Sequence, residues 1–337
     1  MASAKVIEIA GAGILGLACG WELTRRGARV RIHEAGRIGS GSSGGHVGAL
    51  APHAPENWND KKQIQMQALA GAQDWWAEIA RTSGMDPGYG RSGRIQPVEP
   101  GTKARLRDRI AAASQNWPDW ARMQLTDRPE AALIPASASG LWLVDSLTAR
   151  LNPRAALTAL AAAIRARGGQ IIENSPADPD RPAIWATGST GLAPFNGSGV
   201  KGQSALLAFD AGTAPQVFAD ALHIVPHGDG TVAIGSTSER EWDGMGTDAQ
   251  LEALIDKARL ICPALQDAPV IDRWAGVRPR AKSRAPLVGA WPGRPGHYVA
   301  NGGFKIGFGM APAVARLIAD LVLDGKDAIP AAFRVPG

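Results

Sequence analysis

The 337-residue chain holds only two cysteines, Cys19 and Cys262, far apart and each set among apolar residues of helical spacing. That scarcity excludes a disulfide framework. No second cysteine or histidine stands at metal-ligand spacing from either, so no metal site is expected. Both cysteines read as core residues of a chain working in a reducing compartment, and a cytoplasmic location is expected. No stretch approaches the roughly 18 consecutive apolar residues that a membrane span needs. Internal repeats and low-complexity tracts are missing too. The formal charge of +5 comes from Lys and Arg scattered along the chain rather than massed in a tail or stripe. A solvated surface explains such a surplus more simply than an acidic partner does. Without a basic patch interleaved with aromatics, a nucleic-acid surface is disfavoured though not excluded.

What is present bounds the rest. The chain is 45% apolar and 20% charged, so it can bury a full-sized core, in two domains or one large interleaved unit. Its opening, "KVIEIAGAGILGLACGWEL", sets one lysine before an apolar run, as a cleaved leader would. A leader owes nothing to the residues beyond it. A nucleotide-binding unit must continue as strand, glycine turn, helix, second strand and acidic residue. That continuation is complete. Val6, Ile7 and Ile9 make a short strand, and Gly11, Gly13 and Gly16 fall in G-x-G-x-x-G register. Ile14, Leu17, Ala18 and Trp21 recur at helical spacing, Gly27 stops that helix, and Ala28, Val30 and Ile32 alternate into a strand ended by Glu34.

Each position in the unit has a physical task. Gly11 allows the tight turn, Gly13 lets a pyrophosphate approach bare backbone, and Gly16 lets helix and strand pack closely. Free N–H groups around Ile14 and Leu15, at the positive end of the helix dipole, face the phosphates. Glu34, followed by Ala35, accepts from the ribose hydroxyls of an adenosine half, and its charge disfavours a 2′-phosphate. A dinucleotide other than NADP is therefore expected.

The next run, "GRIGSGSSGGHVGALAPH", is too rich in Gly and Ser for helix or strand. Such a loop can lie against a flat ligand, with Ser42 and Ser43 offering hydroxyls to phosphate, although a flexible linker has the same composition. A helical segment with Trp75, Trp76 and Ile79 comes after it. "LNPRAALTALAAAIRARGG" reads as a helix with Asn152 as N-cap, Pro153 at its first position and Gly168 at its stop. "SALLAFD", "DALHIVPH" and "TVAIGSTSE" are strand-like, the last two joined through Gly228, Asp229 and Gly230 as a hairpin. "TDAQLEALIDKARLIC" is helical, with Leu251, Leu254, Ile255 and Ala258 inward. In the last helix Ala311, Val314, Ala315, Ile318, Leu321 and Val322 share a face, with Pro312 near the start and Gly325 at the stop.

Five segments occur in one order almost end to end: the opening unit, "SSGGHVGALAP", "WATGSTG", "WAGVRPRAKSRAPLVG" and "YVANGGFKIGFGMAPAVARLIADLV". Together they resemble the D-amino-acid oxidase and glycine oxidase superfamily of FAD-dependent amine oxidoreductases. The resemblance implies an α/β fold in which a Rossmann-like FAD-binding domain is interleaved with an antiparallel-sheet α+β substrate domain. The FAD-binding domain would take residues 1–58, 146–190 and 274–330, and the substrate domain 59–145 and 191–273. FAD would be held by Gly11, Gly13, Ile14, Leu15, Gly16, Glu34, Ala35, Ser42, Ser43, Gly48, Ala49, Leu50, Thr187, Gly188, Gly302, Gly303, Phe304, Lys305, Ile306 and Gly307. One segment departs from the family. Between "GGQIIE" and "AIWATG" the family has a further strand and a small meander near the adenine, where this chain has only the nine residues "NSPADPDRP". No adenine contact is carried over there.

If the "NGGFKIGFG" turn delivers the flavin to the start of the last helix, the dipole favours negative charge at flavin N1 and the C2 oxygen. Gly302, Gly303 and Gly307 are then needed where side chains would strike the ring, although an ordinary surface turn is the alternative. By the resemblance, Arg278 matches the arginine that pairs with the substrate carboxylate in several members, and a planar guanidinium suits that task. A structural ion pair at a domain junction is the plainer reading. Lys305 stands where glycine oxidases carry a basic residue beside the flavin, or is a solvated surface lysine. His46 lies in the flavin loop, one residue out of register with the histidine that binds FAD covalently in some distant relatives. His53, Arg94 and Tyr298 are candidates for supporting groups, Tyr298 equally for a strand core.

The implied activity is oxidation of the C–N bond of a small amino acid or secondary amine by hydride transfer to flavin, with oxygen or another acceptor taking the electrons. Two other readings stay open. "GALAP" and the basic pI resemble a branch acting on a modified tRNA base, although no methyltransferase domain is appended. The shortened adenine side suits a flavin-binding subunit of a hetero-oligomeric dehydrogenase.

Overall fold

The computed structural model describes residues 6–337, and its strands fall into a six-stranded sheet, an eight-stranded sheet and a two-stranded ribbon. The opening apolar run forms the strand Ile7–Ala10 at the middle of the six-stranded sheet. Val30–His33 and then Gln170–Ile172 run parallel on one side of it. Ala183–Trp185 and Tyr298–Asn301 run parallel on the other, and Leu287–Ala290 closes that edge antiparallel. Ile9 sits opposite both Ile32 and Ile184, and all three are buried. The helix Ile14–Arg25 covers this sheet with Leu17, Ala18 and Trp21 fully enclosed. Each such large apolar side chain contributes about 1.5–3 kcal/mol relative to exposure.

Local signals set the helices that flank the sheet. Asn152 caps Pro153–Ala166 by accepting from the N–H groups of Arg154 and Ala155, as the sequence predicts. Gly168, at φ +80°, carries the chain out of the helix. The closing helix Gly307–Asp324 packs along Ile14–Arg25 and ends at Gly325 in the left-handed region. Two helices that come after the Gly/Ser-rich loop, Asp60–Ala70 and Ala72–Ser83, pack onto the closing helix and onto Pro153–Ala166 respectively. Leu69, Trp76 and Ile79 thus share one apolar cluster with Trp21, Leu160 and Ile318.

In the eight-stranded sheet the order is Val270–Arg280, Ser198–Ala208, Thr231–Gly235, Leu222–Pro226, Gln216–Ala219, Arg94–Pro97, Trp142–Asp145 and Met123–Thr126. Only the pair Gln216–Ala219 with Arg94–Pro97 is parallel. The expected hairpin is there: Leu222–Pro226 pairs with Thr231–Gly235, and His227 N–H donates to Thr231 O at 2.8 Å across the turn. The helix Ala249–Ile261, capped by Asp248, buries Leu251, Ile255 and Ala258 against a second apolar cluster. Leu254 is only half-buried there.

Cys19 and Cys262 are both buried and unpaired, and burial pushes each thiol up to about 12, which makes them inert core residues. Among the described residues no helix is long and apolar enough to cross a membrane, and no acid, histidine or cysteine cluster could hold a metal ion.

Candidate active site

The two large sheets enclose a cavity of about 660 Å³. Ala10, His33, Trp185 and Asn301 line it, each the last residue of a parallel strand. Ligands of open parallel sheets bind at that end. Arg278, Phe218 and His223 reach the same cavity from the antiparallel sheet.

The glycine turn supplies one wall. At Gly11 φ is +101°, and a Cβ would lie 2.5 Å from the Ala186 carbonyl oxygen. At Gly16 a Cβ would lie 1.9 Å from the Gly11 carbonyl oxygen. Both glycines are required by the turn's own backbone, and Gly11 and Gly13 line the cavity while Gly16 stands behind it. The helix that starts there has no side-chain cap and no acid in its first turn. Ser43 reaches over from the Gly/Ser loop and accepts from Ile14 N–H at 3.0 Å. The remaining first-turn N–H groups lack intrahelical partners, and the positive dipole end makes this a site for an anion.

Glu34 ties that turn to the second strand. Its carboxylate accepts from Ala12 N–H at 2.7 Å and from Gly36 N–H at 2.9 Å. A carboxylate has about four acceptor positions, so capacity remains for the cavity that Glu34 also lines. The shortened segment closes in beside it: Asn174 N–H donates to Gly36 O at 2.7 Å and Ser175 N–H to Glu34 O at 2.8 Å. Pro176 and Ala177 then form part of the wall.

At the other end Asn301 joins two turns, its Nδ2 donating to Gly188 O at 2.9 Å and its Oδ1 accepting from Gly302 N–H at 2.8 Å. Gly302, at φ +77°, leads into Phe304, itself left-handed at φ +43° and held by its N–H to Pro279 O at 3.0 Å. The closing helix then starts at Gly307 without a side-chain cap or an acid in its first turn, and Gly307 and Phe308 line the cavity. A second uncapped helix start therefore faces the same space.

Arg278 is 8% exposed, yet no carboxylate pairs with it among the described residues. Its guanidinium donates to Ser236 Oγ and to Thr237 O, and lies 5.5 Å from the Phe304 ring. Nε is buried with no partner among the described residues. Glu239 acts on it only from a distance, being paired with Lys201 at 3.4 Å, and burial pushes the Arg278 guanidinium down to about 10. Such a group is a buried cation awaiting an anion. Lys305, open to solvent beside the cavity, is lowered by the surrounding protein and then by the Arg278 charge.

His46 lines the cavity but commits its ring elsewhere. Nε2 bonds Asp272 at 3.0 Å, Nδ1 bonds Ser204 Oγ at 3.1 Å, and its carbonyl accepts from His227 Nε2 at 3.0 Å. Burial holds its pKa below the usual histidine value. Both nitrogens serve to fasten the Gly/Ser loop to the antiparallel sheet.

The cavity gathers most of the residues singled out from the sequence. Gly11, Gly13, Ile14, Leu15, Glu34, Ala35, Ser42, Ser43, Gly48, Ala49, Thr187, Gly188, Gly303, Phe304, Lys305, Ile306 and Gly307 line it, with Arg278 and His46. Gly16, Leu50 and Gly302 stand behind the wall. Leu50 is 1% exposed and belongs to the core. Tyr298 packs against the core and Arg94 pairs with Asp145 at 2.8 Å, while His53 is exposed. Sequence reasoning missed His223, Phe218, Ser236 and Asn301. Period-2 alternation put His223 in a strand, but nothing local said which sheet face meets the cavity.

A family model described as FAD dependent oxidoreductase, DAO, matches residues 7–321. The chain belongs to this family. It is an FAD-dependent oxidoreductase, and the resemblance carried by the five segments holds. The chain is 30% identical over 331 residues to a Rhizobium etli protein named as a thiamine biosynthesis oxidoreductase, ThiO, covering 94% of this chain and 96% of that one. It is 28% identical over 363 residues to the bifunctional protein ThiO/ThiG of a Synechocystis strain, covering 97% of this chain. There it spans about half, 53%, of the longer protein. The solved structure of glycine oxidase from Geobacillus kaustophilus superposes with a TM-score of 0.85 at 23% identity, over 98% of both chains, which shows the fold. The site fits the family's cofactor. One uncapped helix start behind bare glycine backbone suits the diphosphate, Glu34 has acceptor capacity left for a ribose, and a second uncapped helix start suits an anionic flavin.

Proposed function

We propose that this chain oxidises the C–N bond of a small α-amino acid or secondary amine that carries a carboxylate. The observation that carries this reading is Arg278: a guanidinium buried with no counter-ion among the described residues, one donor unspent, in the cavity that also receives the start of the closing helix. Bound there, FAD supplies the acceptor for the hydride of the substrate Cα–H, and the resulting imine is hydrolysed by water.

The chain's own residues do the positioning. Arg278 takes the carboxylate and so fixes which carbon is presented. Lys305 adds positive charge beside it, favouring substrates that bind as anions. Phe304, its N–H bound to Pro279 O, lies with its ring 5.5 and 5.8 Å from the two cations. Gly11, Gly13, Ser43 and Glu34 hold the adenosine diphosphate half, and His46 acts as an anchor of the loop rather than as a proton carrier. The sheets support the proposed division of the chain, although the helices Asp60–Ala70 and Ala72–Ser83, within 59–145, pack on the cofactor half. The six-stranded sheet draws all its strands from the proposed cofactor segments 1–58, 146–190 and 274–330. The eight-stranded sheet draws on 59–145 and 191–273, with Val270–Arg280 crossing the last boundary. Oxygen or another acceptor takes the electrons onward.

Anaerobic mixing of the purified yellow protein with glycine, sarcosine, proline and a panel of D-amino acids tests the reading by bleaching of the flavin. At least one carboxylated amine bleaches it, and Arg278→Ala, with FAD retained, loses the response. Bleaching only by amines without a carboxylate would falsify the assignment of Arg278.

A further inference from the structure

We propose that His223 is the substrate-amine acceptor of this site: a neutral imidazole whose bare Nε2 faces the cavity and takes a hydrogen bond from the substrate N–H. The inference rests on the function proposed above. It goes further by assigning the amine half of the substrate to a named atom.

The orientation comes from a chain of hydrogen bonds. Gln216 Nε2 donates to the Ala149 carbonyl at 2.9 Å, and a carbonyl can only accept. The Gln216 amide is thereby fixed with Oε1 toward His223, whose Nδ1 lies 3.0 Å away. Since Oε1 also only accepts, Nδ1 carries the proton, and in a neutral ring Nε2 is then left with its lone pair. Gln216 is fully buried, so its side chain is spent on this bridge. The Phe218 ring packs on the imidazole, the ring centroids 4.5 Å apart and the planes tilted by 41°. His223 lines the cavity, and Nε2 has no partner among the described residues.

The surroundings keep the ring neutral. The charges that act on His223 are both cationic, Arg94 from the strand beyond Gln216–Ala219 and Lys305 from the turn before the closing helix. Arg94 is itself paired with Asp145. Burial acts in the same direction and is the larger effect, and together they push His223 down to about 3. A ring this reluctant to take a proton is an acceptor, not a base. It can neither compete with Arg278 for the carboxylate nor add a third positive charge to those of Arg278 and Lys305 in the cavity. Arg278 and Lys305 therefore bias the bound amino acid toward its amine-deprotonated, anionic form, the form whose nitrogen lone pair can push out a hydride. His223 holds an N–H of that amine. A substrate with no N–H at this position, such as N,N-dimethylglycine in its deprotonated form, has nothing to offer it.

The test separates amine from carboxylate recognition. Wild type, His223→Phe and His223→Gln are purified with FAD bound. Each is titrated with propionate, a carboxylate without an amine, by the shift in flavin absorbance, and then with the amino acid that bleaches wild type fastest. Phenylalanine keeps the aromatic plane but has no acceptor. His223→Phe is expected to bind propionate within about twofold of wild type and to need about 10- to 100-fold more amino acid for the same rate of bleaching. His223→Gln, which offers a carbonyl oxygen, recovers part of that loss. Unchanged propionate binding also reports that the variant is folded. Equal weakening of both ligands in His223→Phe would place the residue on the carboxylate instead and overturn the proposal. So would undiminished reduction by the amino acid. If no carboxylated amine bleaches the wild type, the functional reading itself fails, and the role of His223 falls with it.

Discussion

Replacing Arg278 by methionine should abolish function without costing stability. Methionine has about the length of the arginine stem and no charge. The buried guanidinium titrates near 10 rather than 12.5, a difference equivalent to about 3 kcal/mol of disfavoured charge at neutral pH. Because the folded pKa lies below the unfolded one, that cost is fully present below pH 10 and is relieved only as pH rises toward 12.5. Against the relief stand the Thr237 carbonyl and the Ser236 hydroxyl, each left without its donor at about 1 kcal/mol apiece. The balance is roughly neutral to 2 kcal/mol stabilising, a rise in Tm of about 0–5 °C for the FAD-loaded protein. The kcat/KM for a carboxylated amine should fall by about 10²–10⁴, since a charge-assisted contact in a desolvated site is lost. The assay pairs thermal unfolding, followed by flavin fluorescence with and without propionate, with steady-state turnover. Propionate raises the Tm of wild type and leaves the variant unchanged. A fall in Tm of more than about 5 °C, with activity lost in proportion to folded protein, would refute the argument and make Arg278 a keystone of the sheet.

Other expectations come from single contacts. Gly11→Ala drives a Cβ to within 2.5 Å of the Ala186 carbonyl oxygen at φ +101°, so the variant should purify without FAD, as read from its 450 to 280 nm absorbance ratio. Ser43→Ala deprives Ile14 N–H of its acceptor and should weaken FAD binding by about 5- to 10-fold in equilibrium dialysis, with substrate KM unchanged. Acid should destabilise the fold well above the carboxylate range. His223, at about 3, stays neutral in the folded state, and His46 and His227, also lowered by burial, take up protons less readily there than in the unfolded chain, which protonates all three below about pH 6.5. Stability is therefore full above that value and falls on acidification, by up to about 1.4 kcal/mol per pH unit per histidine. Urea unfolding at pH 7.5 and 5 checks this, and a flat profile would contradict it.

Much of the nucleotide half was legible because its signals are local. A turn that needs φ above zero at Gly11, an apolar strand before it and a periodic helix after it lie within a few residues of each other, so the pattern itself spells the unit. The same holds for Asn152 and Pro153 at a helix start, and for Gly228 to Gly230 between two alternating runs. Leu50 shows the limit: it stands in the right loop, yet its side chain turns into the core, because loop composition says nothing about which way each residue points. His46 shows another. Its place on the cavity wall was expected from the loop, but Asp272 and Ser204, which occupy both its nitrogens, come from strands more than 150 positions away.

By itself, then, the sequence determined the βαβ unit, the order of its elements and the uncapped helix starts that invite an anionic dinucleotide, since hydrogen bonding and side-chain periodicity within a short span dictate these. Only the tertiary structure decided that, among the described residues, Arg278 lacks a counter-ion and His223 shares its cavity with a bare nitrogen exposed. Those properties depend on which atoms are absent nearby and on how Gln216 is turned by Ala149, and such facts come into being only when distant strands are packed side by side.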